Sequence, residues 1–235
     1  MRKYLVTAAV LALSVTATPA CADANGDLKA LVDSYWADVL KEAPIFASSL
    51  GIDTYARDVG DYSLAASDRR ASMAALFLKK LQAIPQAELD AASKVEAGIL
   101  ARSLNSTIEG NRFGQRAINF TTYSSWHQSF AGMANNLPFK SKADFESYNA
   151  RLAQYGQVNA QNIEVANVAI RGKYTQPCET LNGFEATITG LIAPDPRKAR
   201  HFGPYLQSRP DGMSAAEFEG LANEAAKTIE TVIYP

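Results

Sequence analysis

The sequence predicts an all-α protein, an irregular array of many helices. Apolar residues recur at three- and four-residue spacing along nearly the whole chain, no alternating strand pattern or Asn-Gly hairpin is present, and helix caps and prolines punctuate the periodic stretches. With 47% hydrophobic residues in 235, the chain can bury a core and is not disordered by composition.

The first element is a leader. Arg2 and Lys3 precede an apolar run from Leu5 to Val15, and Ala20-Cys21-Ala22 places small residues at a cleavage site, the pattern of a secretory signal peptide over residues 1–22. Retention as a membrane anchor is the alternative, but the run is shorter than the roughly 20 residues that span a bilayer. No later stretch spans either, so no transmembrane helix is expected after signal removal. The expected location is periplasmic or secreted. A lipid anchor through Cys21 is a second possibility, although Thr18 stands where such a signal usually has a large aliphatic residue.

Residues 23–235 then read as a single helical domain. Leu28, Leu31, Val32, Tyr35, Trp36, Val39 and Leu40 form one stripe on a helix starting near Asp27. Pro44 ends or kinks it, and Ile45 to Leu50 make a short turn closed by a left-handed Gly51. A loop from Ile52 to Tyr62 leads to Ser63, the cap of a second helix carrying Met73, Leu76, Phe77, Leu81 and Ile84 and stopped by Pro85. A third helix is expected from about Ala87 to Glu109, facing inward with Leu89, Ala92, Val95 or Glu96, Ile99, Leu100, Leu104 and Ile108. Gly110 to Asn136 is less periodic and holds one short helix between loops.

Ser141 and Asp144 open a fourth long helix in capping-box style, with Phe145, Tyr148, Leu152, Tyr155, Ile163 and Ile170 on its core side and Gly156 as a candidate kink. A shorter helix follows Pro177, turning Leu181, Phe184, Ile188 and Leu191 inward and stopping at Pro194-Asp-Pro196. Ser214 and Glu217 make a full capping box for the last helix, whose face is Phe218, Leu221, Ala225, Ile229, Val232 and Ile233.

Charge excludes one function class. Formal net charge is -1, and removal of Arg2 and Lys3 with the leader makes it -3; no block of like charge occurs, so no nucleic-acid partner is expected. Metal and nucleophile motifs are also missing. His127 and His201 are the whole imidazole supply, and there is no His-Glu-x-x-His, Cys-x-x-Cys, calcium loop, Gly-x-Ser-x-Gly elbow or phosphate-cradling glycine loop. No catalytic residue and no metal ligand is assigned. The candidate substrate-side residues are Tyr123, Trp126 and His127, because aromatic and polar groups in the least periodic segment can face a cleft. The plainer alternative makes Trp126 a core anchor and His127 its hydrogen-bonded neighbour. Cys178 is read as buried and inert, and Arg197, Lys198 and Arg200 as a solvated turn.

Three stretches carry a resemblance: "LVDSYWADVLKEAPIFASSLGID", "AGILARSLNSTIEGNRFG" and "NNLPFKSKADFESYNARLAQYGQVNAQNIEVANVAIRGKY". In order and spacing, over nearly the whole mature chain, they resemble the N-terminal part of the bacterial exported domain-of-unknown-function family 885, which is similar to zinc metallopeptidases. The resemblance implies a helical fold and hydrolysis of peptides or related amides, with zinc held by a His-Glu-x-x-Pro-Gly-His motif in the C-terminal half. No position here matches that motif. The resemblance therefore implies an N-terminal region inactive alone, needing no cofactor of its own, with a missing C-terminal catalytic half as its partner. It also implies that the Phe218 to Ile233 face is left exposed. The alternative is a stand-alone periplasmic helical binding or adaptor protein. A third reading is an enzyme that uses the Tyr123 to Gln128 cluster.

Overall fold

The computed structural model describes residues 23–121 and 123–235, and the leader and Cys21 lie outside them. The all-α expectation holds. Helices dominate, and no strand occurs among the described residues, only one isolated bridge between Phe120 and Ser125.

The N-terminal half is a bundle of three long helices. Helix α1 (Ala24–Glu42) starts three residues before the expected Asp27, α3 (Leu64–Ala83) begins at the predicted cap, and α4 (Ala91–Arg112) lies along α3. Ser63 Oγ accepts from Ala66 N at 3.1 Å and Asp90 from Ser93 N at 2.7 Å, each satisfying a free amide of the first turn. Leu28, Leu31, Phe77, Leu81, Leu100 and Leu104 fill the core between them.

The expected inner face of the third helix was placed too wide. Leu89 is buried but sits ahead of the helix, while Ala92, Val95 and Ile99 face solvent, the last two at 63% and 66% exposure. The buried positions are Ala97, Leu100 and Leu104, with Ala101 and Ile108 packed beside them. Small Ala97 sets the true register, and Ile99 lies about 100° round from Leu100. Leu76 on α3 and Trp36 on α1 are likewise exposed.

Pro44 does not simply stop α1. It is the first residue of a new helix, α2 (Pro44–Ser49), where the expected turn lies and where a missing N–H costs nothing. Gly51 takes the left-handed conformation as expected, at φ +79°.

The second half builds its own core. Short α5 (Trp126–Ala131) precedes α6 (Lys142–Leu152) and α7 (Tyr155–Arg171), and α9 (Ala215–Thr228) packs across α6. One long helix was expected over α6 and α7. The chain breaks at Ala153-Gln154, two residues before Gly156. Along α7 the buried residues are Tyr155, Val158, Asn162, Val165 and Ala169, so Ile163 and Ile170 point outward, one position round from polar Asn162 and from Ala169. Asn162 is at home inside because its Nδ2 donates to Val158 O at 2.8 Å.

Beyond α7, Cys178–Leu181 is a 3₁₀ turn before α8 (Phe184–Thr189); Ile188 is exposed, and so is Cys178, against the buried reading. Arg197 bonds Glu219 and Asn223 and lies over the Phe202 ring, which gives the basic turn a partner. Both reciprocal caps expected at Ser141-Asp144 and Ser214-Glu217 are present. The expected exposure of the Phe218 to Ile233 face is overturned: Ala222, Ala225 and Ile229 are buried, and Phe218, Leu221, Val232 and Ile233 pack on the same core. Phe145 and Tyr205 supply the aromatic rings against Phe218.

Arg151 joins the two halves. This α6 residue is 2% exposed and reaches into the α2 region. Its Nε donates to Asp58 O at 2.8 Å, and its Nη2 donates to Ser48 Oγ at 2.7 Å and to Pro44 O and Tyr55 O at 3.2 Å each. The fork satisfies three main-chain carbonyls where α2 and the following turns meet.

Candidate functional site

A chamber of about 830 Å³ opens beside the second core, where the end of α1 and α2 face the 119–136 segment and α7. Its walls come from the end of α1, from α2, from the 59–62 loop, from the 119–136 segment and from α7. The lining is mostly apolar, led by Phe46, Val59, Trp126, Phe130, Met133 and Val158. Polar side chains are interspersed with this apolar surface, among them Glu42, Asp61, Arg70, Asn119 and Asn162, and an apolar wall with polar groups set in it is the composition of a ligand site.

Trp126 is fixed on this wall. Its Nε1 donates to Asn159 Oδ1 of α7 at 2.8 Å, and the Phe120 ring meets it edge-on at 6.0 Å. Phe46 is exposed on the chamber wall, edge-on to Trp36 at 5.9 Å. An aromatic edge pair of this kind adds about 0.5 to 1.5 kcal/mol beyond area burial, so Phe46 is held although solvent reaches it.

The charged end is an ion-pair network. Arg69 forks onto Glu42, with Nη2 at 3.1 Å from Oε2, and Arg70 Nη1 adds 3.3 Å to the same oxygen and 2.9 Å to Asp61 O. Asp61 Oδ1 accepts from Ser63 N at 3.0 Å and from Gln161 Nε2 at 2.9 Å. The Ser63 amide, above all, holds the Asp61 carboxyl below its usual range. Gln161 Oε1 accepts from Tyr62 N, which ties the loop to α7.

Asn119 adds an unbalanced group. Its Nδ2 donates to Asn162 O at 2.7 Å, which fixes the amide's orientation, because a flip would set two oxygens face to face. The buried Oδ1 is left with no partner among the described residues. Such an acceptor costs about 1 to 3 kcal/mol until a donor reaches it.

The three sequence candidates separate. Trp126 lines the chamber. Tyr123 is 95% exposed at the tip of the turn that the Phe120 to Ser125 bridge closes. His127 is buried behind the wall, edge-on to both Trp126 and Phe184.

His127 Nε2 lies 2.9 Å from both Ser125 Oγ and Thr187 Oγ1, and the first contact has the look of a nucleophile and its base. Proton accounting gives another answer. Ser125 Oγ donates to Gln128 Oε1 at 3.0 Å and Thr187 Oγ1 donates to Phe184 O at 2.6 Å, so both hydroxyl protons are spent. With the hydroxyl protons so placed, Nε2 is the donor to both oxygens, the tautomer that does not activate Ser125. Burial lowers the His127 pKa, in keeping with a neutral ring.

Sequence reasoning found Trp126 but not Phe46, Glu42, Arg70 or Asn162. The usable signals were Pro44 as a first helical residue and Asn162 on the inward arc of α7.

The zinc that the resemblance implies belongs to a motif outside this sequence, and the two histidines present here are held otherwise. His127 is committed to hydroxyls, His201 is buried with both ring nitrogens unpartnered, and no three His, Cys, Asp or Glu side chains converge among the described residues.

Fold and site together define an all-helical protein with an aromatic-walled chamber beside its second core. The family model described as bacterial protein of unknown function (DUF885) matches residues 44–235, and the chain belongs to that family. No curated protein matches it.

Proposed function

We propose that this chain is the N-terminal, substrate-holding region of an exported metallopeptidase-like hydrolase, working in the periplasm or outside the cell. It has no metal chemistry of its own. The observation that carries this reading is the chamber, whose size suits one or two large apolar side chains of a peptide or related amide. Its aromatic wall supplies burial, and the Asn119 acceptor suits a substrate N–H, reached by a small turn of the amide. The metal-bearing half of the enzyme is then the chain's natural partner.

The test is binding without turnover. N-acylated Phe and Leu dipeptide amides should quench or shift the fluorescence of Trp126 in the purified chain, and Val158→Trp, which fills the chamber, should remove the response. Saturating peptide with no response, or one unchanged in Val158→Trp, would sink the chamber assignment. Robust hydrolysis by this chain, or stoichiometric zinc in it, would sink the division of labour.

A second reading has one observation in its favour. The apolar face of α9 is covered by the chain's own core, as a stand-alone periplasmic binding or adaptor protein requires. That reading expects a monodisperse protein with one cooperative unfolding transition; aggregation at micromolar concentration would refute it.

A further inference from the structure

A second, smaller cleft of about 280 Å³ lies on the α3–α4 side of the molecule, and its chemistry differs from that of the chamber. Its lining includes Ser67 and Arg70 of α3, Ser106 and Asn111 of α4, and Gln115 and Arg116 just beyond. No acidic residue lines it. Arg70 lines both the cleft and the chamber.

Donors outnumber acceptors here. Arg116 Nη1 bonds Asp68 Oδ1 and Asn111 Oδ1, and Arg70 Nη1 bonds Glu42 Oε2 and Asp61 O. Every bond these two side chains make to described residues runs through Nη1, so Nε and Nη2 of each remain available. The neighbouring acids neutralise charge but also anchor the guanidiniums, which removes much of the rotamer entropy a ligand would otherwise have to freeze. Asn111 Oδ1 is already occupied, since it also accepts from Ser67 Oγ at 2.9 Å. The Ser106 hydroxyl and the Gln115 amide add adaptable donors beside the guanidiniums.

We propose that this cleft binds a small oxyanion, a carboxylate or a phosphate group, held by Arg70 and Arg116 and completed by Ser106 and Gln115. Guanidinium edges match both anions in geometry, and the cleft is wide enough for one such group and too small for the apolar ligand of the chamber. The proposal does not depend on what occupies the chamber.

Inorganic phosphate and acetate, titrated separately into the ¹⁵N-labelled protein at ionic strength held constant with chloride, test it. Saturable amide shifts confined to residues 106–116 and the Arg70 turn are expected for at least one of the two. Tighter phosphate points to a phosphoryl ligand and tighter acetate to a carboxylate. Arg116→Gln should weaken binding at least tenfold, but it also breaks the link to Asp68. Gln115→Glu is the cleaner variant, because the exposed Gln115 side chain makes no hydrogen bond to the described residues and the new charge repels an anion. It should bind at least tenfold more weakly with an unchanged circular-dichroism spectrum and melting temperature. Shifts that chloride alone reproduces, shifts that never saturate, or wild-type affinity in Gln115→Glu would each overturn the proposal.

Discussion

Replacing Arg151 tests the account of how the two halves are joined. In Arg151→Met the volume is roughly kept and the fork is lost. The carbonyls of Pro44, Tyr55 and Asp58 and the hydroxyl of Ser48 then lose the guanidinium, although Tyr55 O keeps the Asp58 amide at 3.1 Å. Hydrogen bonds to a charged group are worth about 1.5 to 3 kcal/mol each, but four acceptors share one guanidinium and their contributions do not add. Against the loss stands the desolvation of the buried cation, the same burial that lowers its pKa. A buried neutral acceptor left without its donor costs about 1 to 3 kcal/mol, and with that offset and incomplete additivity we expect about 3 kcal/mol in all. Arg151→Lys, which keeps the charge but has no fork, should recover less than half.

Urea unfolding followed at 222 nm supplies the number. A loss below about 1 kcal/mol in Arg151→Met would refute the argument, since that is the range of an ordinary surface change. The same variant links stability to function. All four acceptors lie in residues 44–58, and α2 with Val59 just beyond forms one side of the chamber. Chamber ligands should therefore bind more weakly to Arg151→Met even under conditions where it remains folded.

His201 gives a pH dependence of definite sign. Burial first, then Arg200, lowers its pKa from 6.5 to about 4, so the unfolded chain takes up a proton before the folded one does. Its contribution is complete above pH 6.5 and is lost as pH falls through 4, by about 3 kcal/mol in all. Urea midpoints at pH 7, 5.5 and 4 measure it, and a slope equal in His201→Phe would assign the effect elsewhere. Trp126→Phe removes the indole bond to Asn159 and part of the ring packing on Phe120 and His127, and should cost about 1 to 2 kcal/mol, read by the same unfolding curve. Ser214→Ala should cost about 1 kcal/mol by leaving the Glu217 amide in the first turn of α9 without its acceptor, and Ser214→Asp should restore most of it.

Local chemistry was legible in the sequence and long-range pairing was not. Ser63, Ser141 and Ser214 were readable as caps because a cap and the amide it satisfies lie three residues apart. The inward arcs were harder, since a stripe read from apolar side chains alone drifts wherever the buried residue is small or polar. Ala97 and Asn162 occupy such positions, and reading Ile99, Ile163 and Ile170 as core followed from passing over them. The Pro44 reading failed for a related reason: proline stops one helix and suits the first position of the next equally well.

The same physics explains why the candidate site was only partly visible. Arg151 lies on the arc of Tyr148, Leu152 and Tyr155, and its residue type argued for solvent while its position argued for the interior. Position prevailed because α2 and the turns after it present three carbonyls close together, and one guanidinium donates to all of them at once. The network of Glu42, Arg69, Arg70 and Asp61 has the same character, with partners separated by up to 28 residues and with no periodicity to announce them. The Arg151 fork anchors residues 44–58, and the network of Glu42, Arg70 and Asp61 anchors the end of α1 to α3 and to the 61 loop, so two parts of the chamber's wall are fixed without a covalent link. Directional bonds of this kind keep the space open for a ligand, where a purely apolar junction would be free to collapse.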